Sequence, residues 1–409
     1  MKSILVIGSG LVGAAAAVRL QAAGIQTTLI DPGDKRRGAS FGNAGHIGTE
    51  QVMPWSTWPN LISAPTHLFG FGGPLDFRWS DIGRWLPWSL RFMAASDPKR
   101  VAAGHAALTA LLHDAMGAWQ RLETLADMPG MVRPHGQANV YMSAAAGDKA
   151  RELWARTPIG VCSYREMSAD ELARYDGVLR ERPASGLHFD GTGQVRDPQG
   201  ARDGMLAKFA ALGGATIADS VKTLDASGAV RTQAGKELKA DALLIACGAW
   251  SAPLMKQLGI TAPLIGERGY SMQSVEHNFP DDLPTTIFEE RSVVLSRFTS
   301  GLRTTSFLEF GDPSAPPDPR KWARLHTHLD ELGVQFSKTP DRWVGPRPTL
   351  PDYVPAIGRL KRAPNVLYAF GHAHLGLTES AITSEAIEAL ATDKPPPFSL
   401  APFAIERFA

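Results

Sequence analysis

Residues 8–13 read GSGLVG, a G-x-G-x-x-G motif between an apolar run and a run of helix formers. The apolar run SILVI at residues 3–7 predicts a strand that is buried on both faces. Residues 14–23 favour a helix, and Gly24 ends it. A second apolar run at residues 27–30 predicts a strand with Asp31 at its tip. Together these features predict a βαβ unit that binds a dinucleotide.

Each glycine of the motif has a separate physical role. Gly8 permits the tight turn from strand to helix, Gly10 lets a pyrophosphate approach the backbone, and Gly13 lets the helix pack close to the strand. The free N–H groups and the dipole at the helix start favour phosphate charge. Asp31 lies 18 residues after Gly13, where a carboxylate can accept hydrogen bonds from ribose hydroxyls.

Length and composition indicate a globular protein of two domains. The chain has 409 residues, of which 44% are hydrophobic and 20% are charged. Its formal net charge of +1 gives no reason to expect nucleic-acid binding. Its two cysteines, Cys162 and Cys247, exclude a disulfide framework and a cysteine-rich metal site. We find neither a signal peptide nor a membrane-spanning run of about 18 apolar residues, and we expect a cytoplasmic protein.

Further elements follow from hydrophobic periodicity and turn residues. The pattern predicts a long helix over 101–127, helices over 168–175, 197–211, 322–332 and 379–391, buried strands at 241–246 and 366–370, sheet over 264–310, and an irregular tail from 393. It also predicts a strand pair within 132–143 and a hairpin formed by 187–189 and 194–196.

Three segments are candidates for contact with a ligand or a partner. Residues 38–48 contain four glycines and leave a bare backbone against which a flat aromatic ring can lie. Residues 241–251 end in small side chains and offer a second such surface. Residues 52–95 are rich in Trp and Phe, which favours a domain core and also permits an amphipathic membrane or partner surface.

Two histidines, His372 and His374, are separated by one residue, a spacing that places both on one face of a strand. A metal pair would need further ligands nearby, and the sequence has no supporting cluster of His, Cys or carboxylate residues. We therefore predict no metal site and a loop that contacts a cofactor.

The whole pattern resembles the superfamily of D-amino-acid oxidases and dehydrogenases, and among its members the bacterial D-amino-acid dehydrogenases. The resemblance runs nearly end to end, and its motifs, beyond GSGLVG with Asp31, are SFGNAGHI at 40–47, GQVRDPQGARDGMLAKFAALGGATI at 193–217, ALLIACGAWS at 242–251, GERGYSM at 266–272, GPRPTLPDYVPAIG at 345–358 and GHAHLGLT at 371–378. It implies an α/β fold with a Rossmann-like FAD-binding domain of the glutathione-reductase type and a mixed-sheet, α+β substrate domain.

The resemblance also implies a discontinuous domain arrangement. The FAD-binding domain would comprise residues 1–48, 187–258 and 344–394, the substrate domain residues 49–186 and 259–343, and the tail residues 395–409.

The implied cofactor is non-covalent FAD. Some sarcosine oxidases attach FAD through a cysteine late in the chain, and no cysteine follows Cys247 here. The resemblance assigns cofactor contacts to Gly8, Ser9, Gly10, Leu11, Val12, Gly13, Asp31, Pro32, Arg37, Ser40, Asn43, Ala44, Gly45, His46, Val221, Cys247, Gly248, Trp250, Arg347, Gly371, His372, His374, Leu375, Gly376, Leu377 and Thr378.

The implied reaction is hydride transfer from Cα of a D-amino acid to flavin N5, which gives an imino acid that water hydrolyses. Arg347 would bind the substrate carboxylate, because a planar guanidinium matches a carboxylate bidentately. Arg268 and Tyr270 match a second family position that faces the substrate, and His374 completes the predicted catalytic set. A structural ion pair is the alternative role for either arginine.

Several alternatives remain open at this point. The substrate can instead be D-proline, D-hydroxyproline, glycine or sarcosine, and the electron acceptor can be oxygen, a quinone or another member of the respiratory chain, with peripheral contact to the inner membrane. A non-enzymatic FAD-binding scaffold is a third possibility, which the presence of Arg347 disfavours.

Overall fold

A computed structural model describes all residues from 1 to 409. Its strands are β1 (Ser3–Ile7), β2 (Gln26–Asp31), β3 (His46–Ile47), β4 (Leu75–Phe77), β5 (Val132–Arg133), β6 (Gln137–Tyr141), β7 (Ser163–Glu166), β8 (Ser185–Asp190), β9 (Gly193–Val195), β10 (Ala215–Ala218), β11 (Val221–Leu224), β12 (Ala229–Thr232), β13 (Glu237–Lys239), β14 (Ala242–Ile245), β15 (Ile265–Ser274), β16 (Thr285–Phe288), β17 (Val293–Phe298), β18 (Gly301–Gly311), β19 (Asp341–Thr349), β20 (Ala356–Leu360) and β21 (Ala363–Phe370).

The α-helices are α1 (Leu11–Ala22), α2 (Trp58–Ser63), α3 (Ile82–Ala95), α4 (Pro98–Leu112), α5 (Ala115–Leu125), α6 (Ala144–Trp154), α7 (Ala169–Ala173), α8 (Pro198–Ala211), α9 (Ser251–Gln257), α10 (Pro319–Leu332) and α11 (Gly376–Ala391). Short 3-10 helices occupy Ala64–His67, Phe69–Phe71, Trp79–Asp81, Gly248–Trp250, Glu289–Arg291, Ala373–Leu375, Ala401–Phe403 and Ile405–Phe408.

A six-stranded sheet carries the dinucleotide motif. Its strand order is β10-β2-β1-β14-β21-β20, parallel except for β20, which runs antiparallel to β21. Ile4 and Val6 of β1 belong to one hydrophobic core and Leu5 and Ile7 to a second core. Period-2 alternation therefore buries both faces of the strand, as its uninterrupted apolar sequence predicts.

Helix α1 follows β1 directly and packs against α8 and α11. Its run of alanines, residues 14–17, is fully buried. Small side chains let the neighbouring helices approach closely, which fixes the start of α1 against the sheet.

A nine-stranded sheet forms the second layer of the molecule. Its order is β19-β15-β18-β17-β16-β6-β8-β7, and β4 pairs with β18. Helix α10 covers one face through Trp322, Leu325 and Leu329, which belong to the hydrophobic core of that face. The prediction of sheet over 264–310 is confirmed, and so is the α/β fold with a mixed second sheet.

Two predicted strand pairings are wrong. The strands within 132–143 do not pair with each other, because β5 pairs with β9 and β6 pairs with β8 and β16. The two strands of the predicted hairpin, 187–189 and 194–196, also do not pair with each other. Strand β8 pairs with β6 and β7, while β9 pairs with β3 and β5. Glycines mark the turns correctly but do not determine which sheet the next strand enters.

The predicted helix over 101–127 is two helices, α4 and α5, which are separated at His113 and Asp114. Strand β19 contains Pro346 and Pro348 and lies at the edge of the nine-stranded sheet. An edge strand tolerates proline because one side of its backbone needs no ladder hydrogen bonds.

The predicted domain boundaries stay a prediction. They can be compared with the residues that each sheet contains. All strands of the six-stranded sheet fall inside the ranges assigned to the first domain. Strands β8 and β19 cross the predicted boundaries at 187 and 344 and belong to the nine-stranded sheet. The chain therefore passes between the two sheets after β8 and again after β19.

The tail is less irregular than predicted. It forms two short 3-10 helices, Ala401–Phe403 and Ile405–Phe408. Phe403 is fully buried, and the backbone N–H of Ile405 donates to the Tyr368 hydroxyl at 3.1 Å. No helix of the protein has both the length and the apolar character needed to cross a membrane.

Candidate functional site

A cavity of about 590 Å³ lies between the two sheets. Its walls include residues that follow the parallel strands, such as Gly8 after β1 and Cys247 after β14, and residues of the nine-stranded sheet, such as Thr305 and Arg347. Ligands of open α/β sheets bind outside the carboxyl ends of the strands. The cavity therefore occupies the position that the fold reserves for a cofactor.

The cavity brings together most of the residues that the sequence predicted for the site. Those that line it are Gly8, Ser9, Gly10, Leu11, Val12, Asp31, Pro32, Arg37, Ser40, Asn43, Ala44, His46, Val221, Cys247, Gly248, Trp250, Tyr270, Arg347, His372, His374, Leu375, Gly376, Leu377 and Thr378. Gly13, Gly45, Gly371 and Arg268 lie outside its walls.

The glycine turn has the geometry that its sequence predicts. Gly8 has a φ of +104°, and a Cβ there would stand 2.5 Å from the Ala246 carbonyl oxygen. A Cβ on Gly13 would overlap the Gly8 carbonyl oxygen. Gly13 therefore acts behind the cavity, where it lets α1 pack against the turn.

Two helices begin at the cavity wall without a cap from the side chain of their own N-cap residue, although the N–H of Leu11 in α1 donates to Ser40 Oγ at 3.0 Å. Gly10 is the N-cap of α1 and Leu375 is the N-cap of α11, and neither helix start receives a side-chain hydrogen bond from its N-cap residue. The remaining free N–H groups and the positive end of the helix dipole favour an anion. The cavity thus offers one anion-binding helix start at the glycine turn and a second at the beginning of α11.

Asp31 supports the turn as well as facing the cavity. Its carboxylate accepts hydrogen bonds from the backbone N–H groups of Ser9 and Gly33, each at 2.8 Å. Each oxygen keeps lone pairs that the protein does not use, so the carboxylate can still accept from ligand hydroxyls.

Arg202 on α8 lies at the same turn and escaped the sequence analysis. Its Nε donates to the Ser9 carbonyl oxygen at 2.6 Å, its Nη2 donates to Ser9 Oγ at 2.5 Å, and it lines the cavity. It stands within the 193–217 motif, and only the packing of α8 against α1 reveals its contact with the glycine turn.

Two of the four glycines of the 38–48 loop, Gly42 and Gly45, allow close packing against the second sheet. A Cβ on Gly42 would overlap the Trp343 ring, and one on Gly45 would overlap the Phe298 ring. Arg303 holds the loop by donating to the carbonyl oxygens of Phe41 and Asn43 at 3.0 and 2.7 Å. The expected bare backbone is present, and its physical reason is close contact with the second sheet.

Arg347 on β19 is the one predicted substrate residue whose guanidinium is partly exposed in the cavity. Its Nη1 donates to Glu267 Oε1 at 3.1 Å and to the Phe307 carbonyl oxygen at 3.0 Å. The side chain is 22% exposed, while Glu267 is fully buried. The protein supplies no hydrogen-bond acceptor for Nε and Nη2, which leaves two donors for a ligand.

Arg268 does not reach the cavity, contrary to the prediction. It points to the opposite face of β15, where its Nη1 lies 2.6 Å from Glu309 Oε1 and its side chain is 1% exposed. Its Nη2 donates to the Ala315 carbonyl oxygen at 2.8 Å. The structure therefore gives Arg268 the structural ion pair that was its alternative role.

Tyr270 lines the cavity, but its hydroxyl points away from it. The hydroxyl donates to Glu309 at 3.2 Å and accepts from the backbone N–H of Asp318 at 3.0 Å. Burial raises the pKa of Tyr270 well above its ordinary value. The hydroxyl stays protonated and is committed to the protein, so only the remainder of the residue can meet a ligand.

His372 and His374 do not converge on a common point. His372 Nε2 lies 3.2 Å from Thr383 Oγ1, and His374 Nε2 lies 2.7 Å from Gln51 Oε1. Burial lowers the pKa of each histidine to about 3. Both rings are therefore neutral, and Gln51, another cavity residue that the sequence analysis missed, fixes the orientation of His374.

Cys247 lies at the cavity wall as an unreactive thiol. Its Sγ donates to the Ile7 carbonyl oxygen at 3.1 Å. Burial raises the pKa of Cys247 to about 12. The thiolate that a covalent link would need is therefore disfavoured.

A glycine turn and two helix starts at one cavity, outside the carboxyl ends of parallel strands, are typical of a dinucleotide-binding protein. The sequence model of the family described as FAD dependent oxidoreductase matches residues 3–390. The chain belongs to this family, and its cofactor is FAD.

The relatives of the chain agree with this assignment. A D-amino-acid oxidase of Bradyrhizobium diazoefficiens is 32% identical over 423 residues, which cover 100% of this chain and 99% of the relative. A D-amino acid dehydrogenase of Vibrio vulnificus is 28% identical over 395 residues, which cover 92% and 93% of the two chains. The glycine oxidase of Geobacillus kaustophilus has the same fold, with a TM-score of 0.71, 18% identity and 99% coverage of both chains.

Proposed function

We propose that this protein is a D-amino-acid dehydrogenase that oxidises its substrate to an imino acid, which water hydrolyses to a 2-oxo acid. The observation that carries the proposal is the free Nε–Nη2 edge of Arg347 in the cofactor cavity. An α-carboxylate is the group that such an edge matches best. The names of the relatives, D-amino-acid oxidase and D-amino acid dehydrogenase, support the same substrate class.

The cavity fits FAD at both ends. The start of α1 with Ser9 and Gly10 suits the pyrophosphate, Asp31 suits the adenosine ribose, and the backbone of Val221 suits the adenine. The start of α11, residues 376–378, suits the flavin edge that becomes anionic on reduction. The remaining lining residues named in the sequence analysis would complete this non-covalent site, and Gly13, Gly45 and Gly371 would shape it from behind.

FAD, when bound, supplies the hydride acceptor of the reaction. The protein's own contribution is to bind and orient the substrate. Arg347 holds the carboxylate, which fixes the position of Cα relative to the cavity wall. His374 lies beside Arg347 as a neutral imidazole, because burial lowers its pKa to about 3. Its neutrality leaves Arg347 as the cation that attracts the substrate anion.

Anaerobic titration of the holoprotein tests the substrate class. We expect D-amino acids to bleach the flavin absorption band and their L-enantiomers to leave it unchanged. A fast response to glycine or sarcosine, or to D-proline and D-hydroxyproline, would move the activity to the corresponding alternative. Absence of bleaching by the whole panel would support the non-enzymatic scaffold and contradict the proposal.

A second experiment identifies the electron acceptor. The reduced enzyme is mixed in a stopped-flow instrument with air-saturated buffer or with a soluble quinone analogue. We expect the quinone analogue to reoxidise the flavin faster than oxygen does. The reverse order would contradict a dehydrogenase and indicate an oxidase.

We also propose that the protein, located in the cytoplasm, contacts the inner membrane through α3. Four apolar side chains on one face of this helix, the α3 stripe, are between 42% and 58% exposed, and they are Ile82, Leu86, Leu90 and Met93. The helix carries Arg91, which has no salt bridge, and Arg84, which pairs with Asp312 at 2.9 Å, and it has no acidic residue. Such a helix suits the surface of an anionic bilayer.

Flotation with vesicles that contain phosphatidylglycerol tests this contact. We expect the wild-type protein to float with the vesicles and the Leu86→Ser, Leu90→Ser double variant to float less. Leu153→Ser on α6 is the matched control, because Leu153 is as exposed as Leu90 and lies outside the stripe. Equal behaviour of all three proteins would contradict the membrane contact.

A further inference from the structure

Glu267 lies behind Arg347 and does not itself line the cavity. It is a carboxylate with no exposed surface, and both of its oxygens accept hydrogen bonds. Oε1 accepts from Arg347 Nη1 at 3.1 Å, and Oε2 accepts from Thr349 Oγ1 at 3.2 Å and from the Tyr353 hydroxyl at 2.9 Å. A buried charge with three donors is held in one place.

Tyr353 is a fixed donor to Glu267. Burial, followed by the charge of Glu267, raises the pKa of Tyr353 well above its ordinary value, so the hydroxyl keeps its proton. The ring packs against Trp88 and Phe92 of α3, with centroid separations of 6.4 and 5.9 Å. The position of Glu267 is therefore set by the packing of the nearby helix.

The other partner of Arg347 Nη1 is held by an unusual backbone conformation. Phe307, whose carbonyl oxygen accepts at 3.0 Å, has a φ of +69°. It lies at an irregularity in the pairing of β15 with β18, between the pairs Arg268–Glu309 and Tyr270–Ser306. A left-handed conformation is costly for a bulky residue, and here it turns a carbonyl oxygen toward Arg347.

These two acceptors use both hydrogens of Nη1. Gly269 packs against one face of the guanidinium, because a Cβ there would overlap Arg347 Nη2 and lie 2.7 Å from Arg347 Cζ. Only Nε and Nη2 remain free, and they form the side-on edge of the guanidinium, whose two parallel N–H groups match two carboxylate oxygens.

We propose that Glu267 is a positioning residue that commits Arg347 to bind the substrate carboxylate side-on, through Nε and Nη2. This inference rests on the proposed function, since it presumes a substrate with a carboxylate. Glu267 also offsets the charge of Arg347. Removing Glu267 therefore has two opposed consequences. The cavity gains positive charge near Arg347, which strengthens the binding of an anion. The guanidinium loses its fixed orientation, which weakens the binding of an anion.

The direction of the change in carboxylate affinity distinguishes the two consequences. The probe is benzoate, a carboxylate without an amine, titrated into the holoprotein while the flavin absorption spectrum reports binding. Positioning predicts that Glu267→Leu weakens benzoate binding at least tenfold, and that Glu267→Gln, which keeps an acceptor for Nη1, stays within about threefold of wild type. Tyr353→Phe, which removes one donor to Glu267, should weaken binding about two- to fivefold.

Two controls separate the possible failures. Glu309→Gln alters the other buried Arg–Glu pair of β15 and should leave the benzoate Kd unchanged. Arg347→Ala should abolish benzoate binding, and if it does not, the proposed carboxylate site fails together with the inference. If Arg347→Ala abolishes binding while Glu267→Leu leaves it equal or tighter, the inference alone is overturned. A Glu309→Gln effect as large as that of Glu267→Leu overturns it as well.

Discussion

The two buried Arg–Glu pairs of β15 have nearly the same chemistry and different surroundings. Glu267 lies directly opposite Arg347 on β19, and Arg268 lies directly opposite Glu309 on β18. The first pair closes at 3.1 Å with its arginine 22% exposed, and the second closes at 2.6 Å with both side chains 1% exposed. Consecutive residues of one strand thus serve opposite faces of the sheet.

The difference between the pairs lies in what the remaining donors face. Those of Arg347 face the cavity, whereas Arg268 Nη2 donates to the Ala315 carbonyl oxygen and the side chain is enclosed by protein. Lys321 Nζ adds a second cation, 2.6 Å from Glu309. An ion pair with a glutamate therefore does not distinguish a ligand-binding arginine from a structural one. The distinguishing feature is whether the guanidinium has access to the cavity.

Removal of one partner from the enclosed pair, Arg268–Glu309, should cause the greatest loss of stability. Glu309→Ala leaves the charges of Arg268 and Lys321 without their shared carboxylate. Removing one partner of a buried ion pair costs about 3–5 kcal/mol, so we expect a loss of that size in the free energy of unfolding. Equilibrium denaturation in urea measures it. The KM for a D-amino acid should stay unchanged, and a large rise in KM would show that the enclosed pair also serves the site.

The second prediction concerns the cavity pair, Arg347–Glu267, and the KM for the substrate. Arg347→Lys keeps the charge and loses the planar two-donor edge. A charge-assisted hydrogen bond contributes about 1.5–3 kcal/mol, so KM should rise roughly tenfold to hundredfold. FAD content, measured after acid release, should not change. Steady-state kinetics with KM equal to that of wild type would move the substrate site elsewhere in the cavity.

The contrast between the pairs also shows where the sequence is informative. The glycine turn and Asp31 were predictable because their roles depend on neighbours within one βαβ unit. Arg347 was predictable from its motif. The partner of Arg347 was not, because Glu267 is 80 residues away and meets it only through the register of β15 and β19.

The error on Arg268 has the same origin. The motif GERGYSM does lie at the site, but successive residues of a strand point to opposite faces of the sheet. A shift of one residue in the alignment therefore changes the face that each side chain occupies. The sequence around 264–310 predicts sheet without fixing that face. The wrong hairpin at 187–196 is a related failure, since β8 and β9 enter different sheets and no local signal distinguishes this from pairing.

His372 is buried without a partner charge, so the cost of its burial can be compared with that of the two arginine pairs. Burial lowers the pKa of His372 to about 3, against about 6.5 when unfolded. Above pH 6.5 both states are neutral and the stability contribution is complete. As the pH falls from 6.5 toward 3, the unfolded state binds the proton first, so stability falls, by about 2 kcal/mol at pH 5.

Unfolding curves at several pH values measure this loss, with His372→Gln as the comparison variant. The variant should lose less stability than the wild type between pH 7 and pH 5, because its side chain does not titrate. Parallel curves for the two proteins would mean that His372 does not carry the pH dependence, and that burial without a partner charge is less costly here than for the arginine pairs.

The smallest expected effect tests the geometry of the cavity pair while leaving every charge in place. In Gly269→Ala the new Cβ would overlap Arg347 Nη2 and lie 2.7 Å from Cζ. The guanidinium must therefore shift while Glu267 and Phe307 hold its Nη1. We expect KM for a D-amino acid to rise about tenfold, which corresponds to about 1.4 kcal/mol. The enclosed pair should not respond, and the free energy of unfolding should change by less than this amount.

Gly83→Ala is the matched control, since a Cβ on Gly83 of α3 would meet no other atom within 4 Å. This substitution should stabilise the helix by about 0.5–1 kcal/mol and leave KM unchanged. If Gly269→Ala has no greater effect on KM than Gly83→Ala, the guanidinium has room to move without loss of binding. The orientation of Arg347 would then matter less than its charge, and the two arginine pairs would differ only in their access to the cavity.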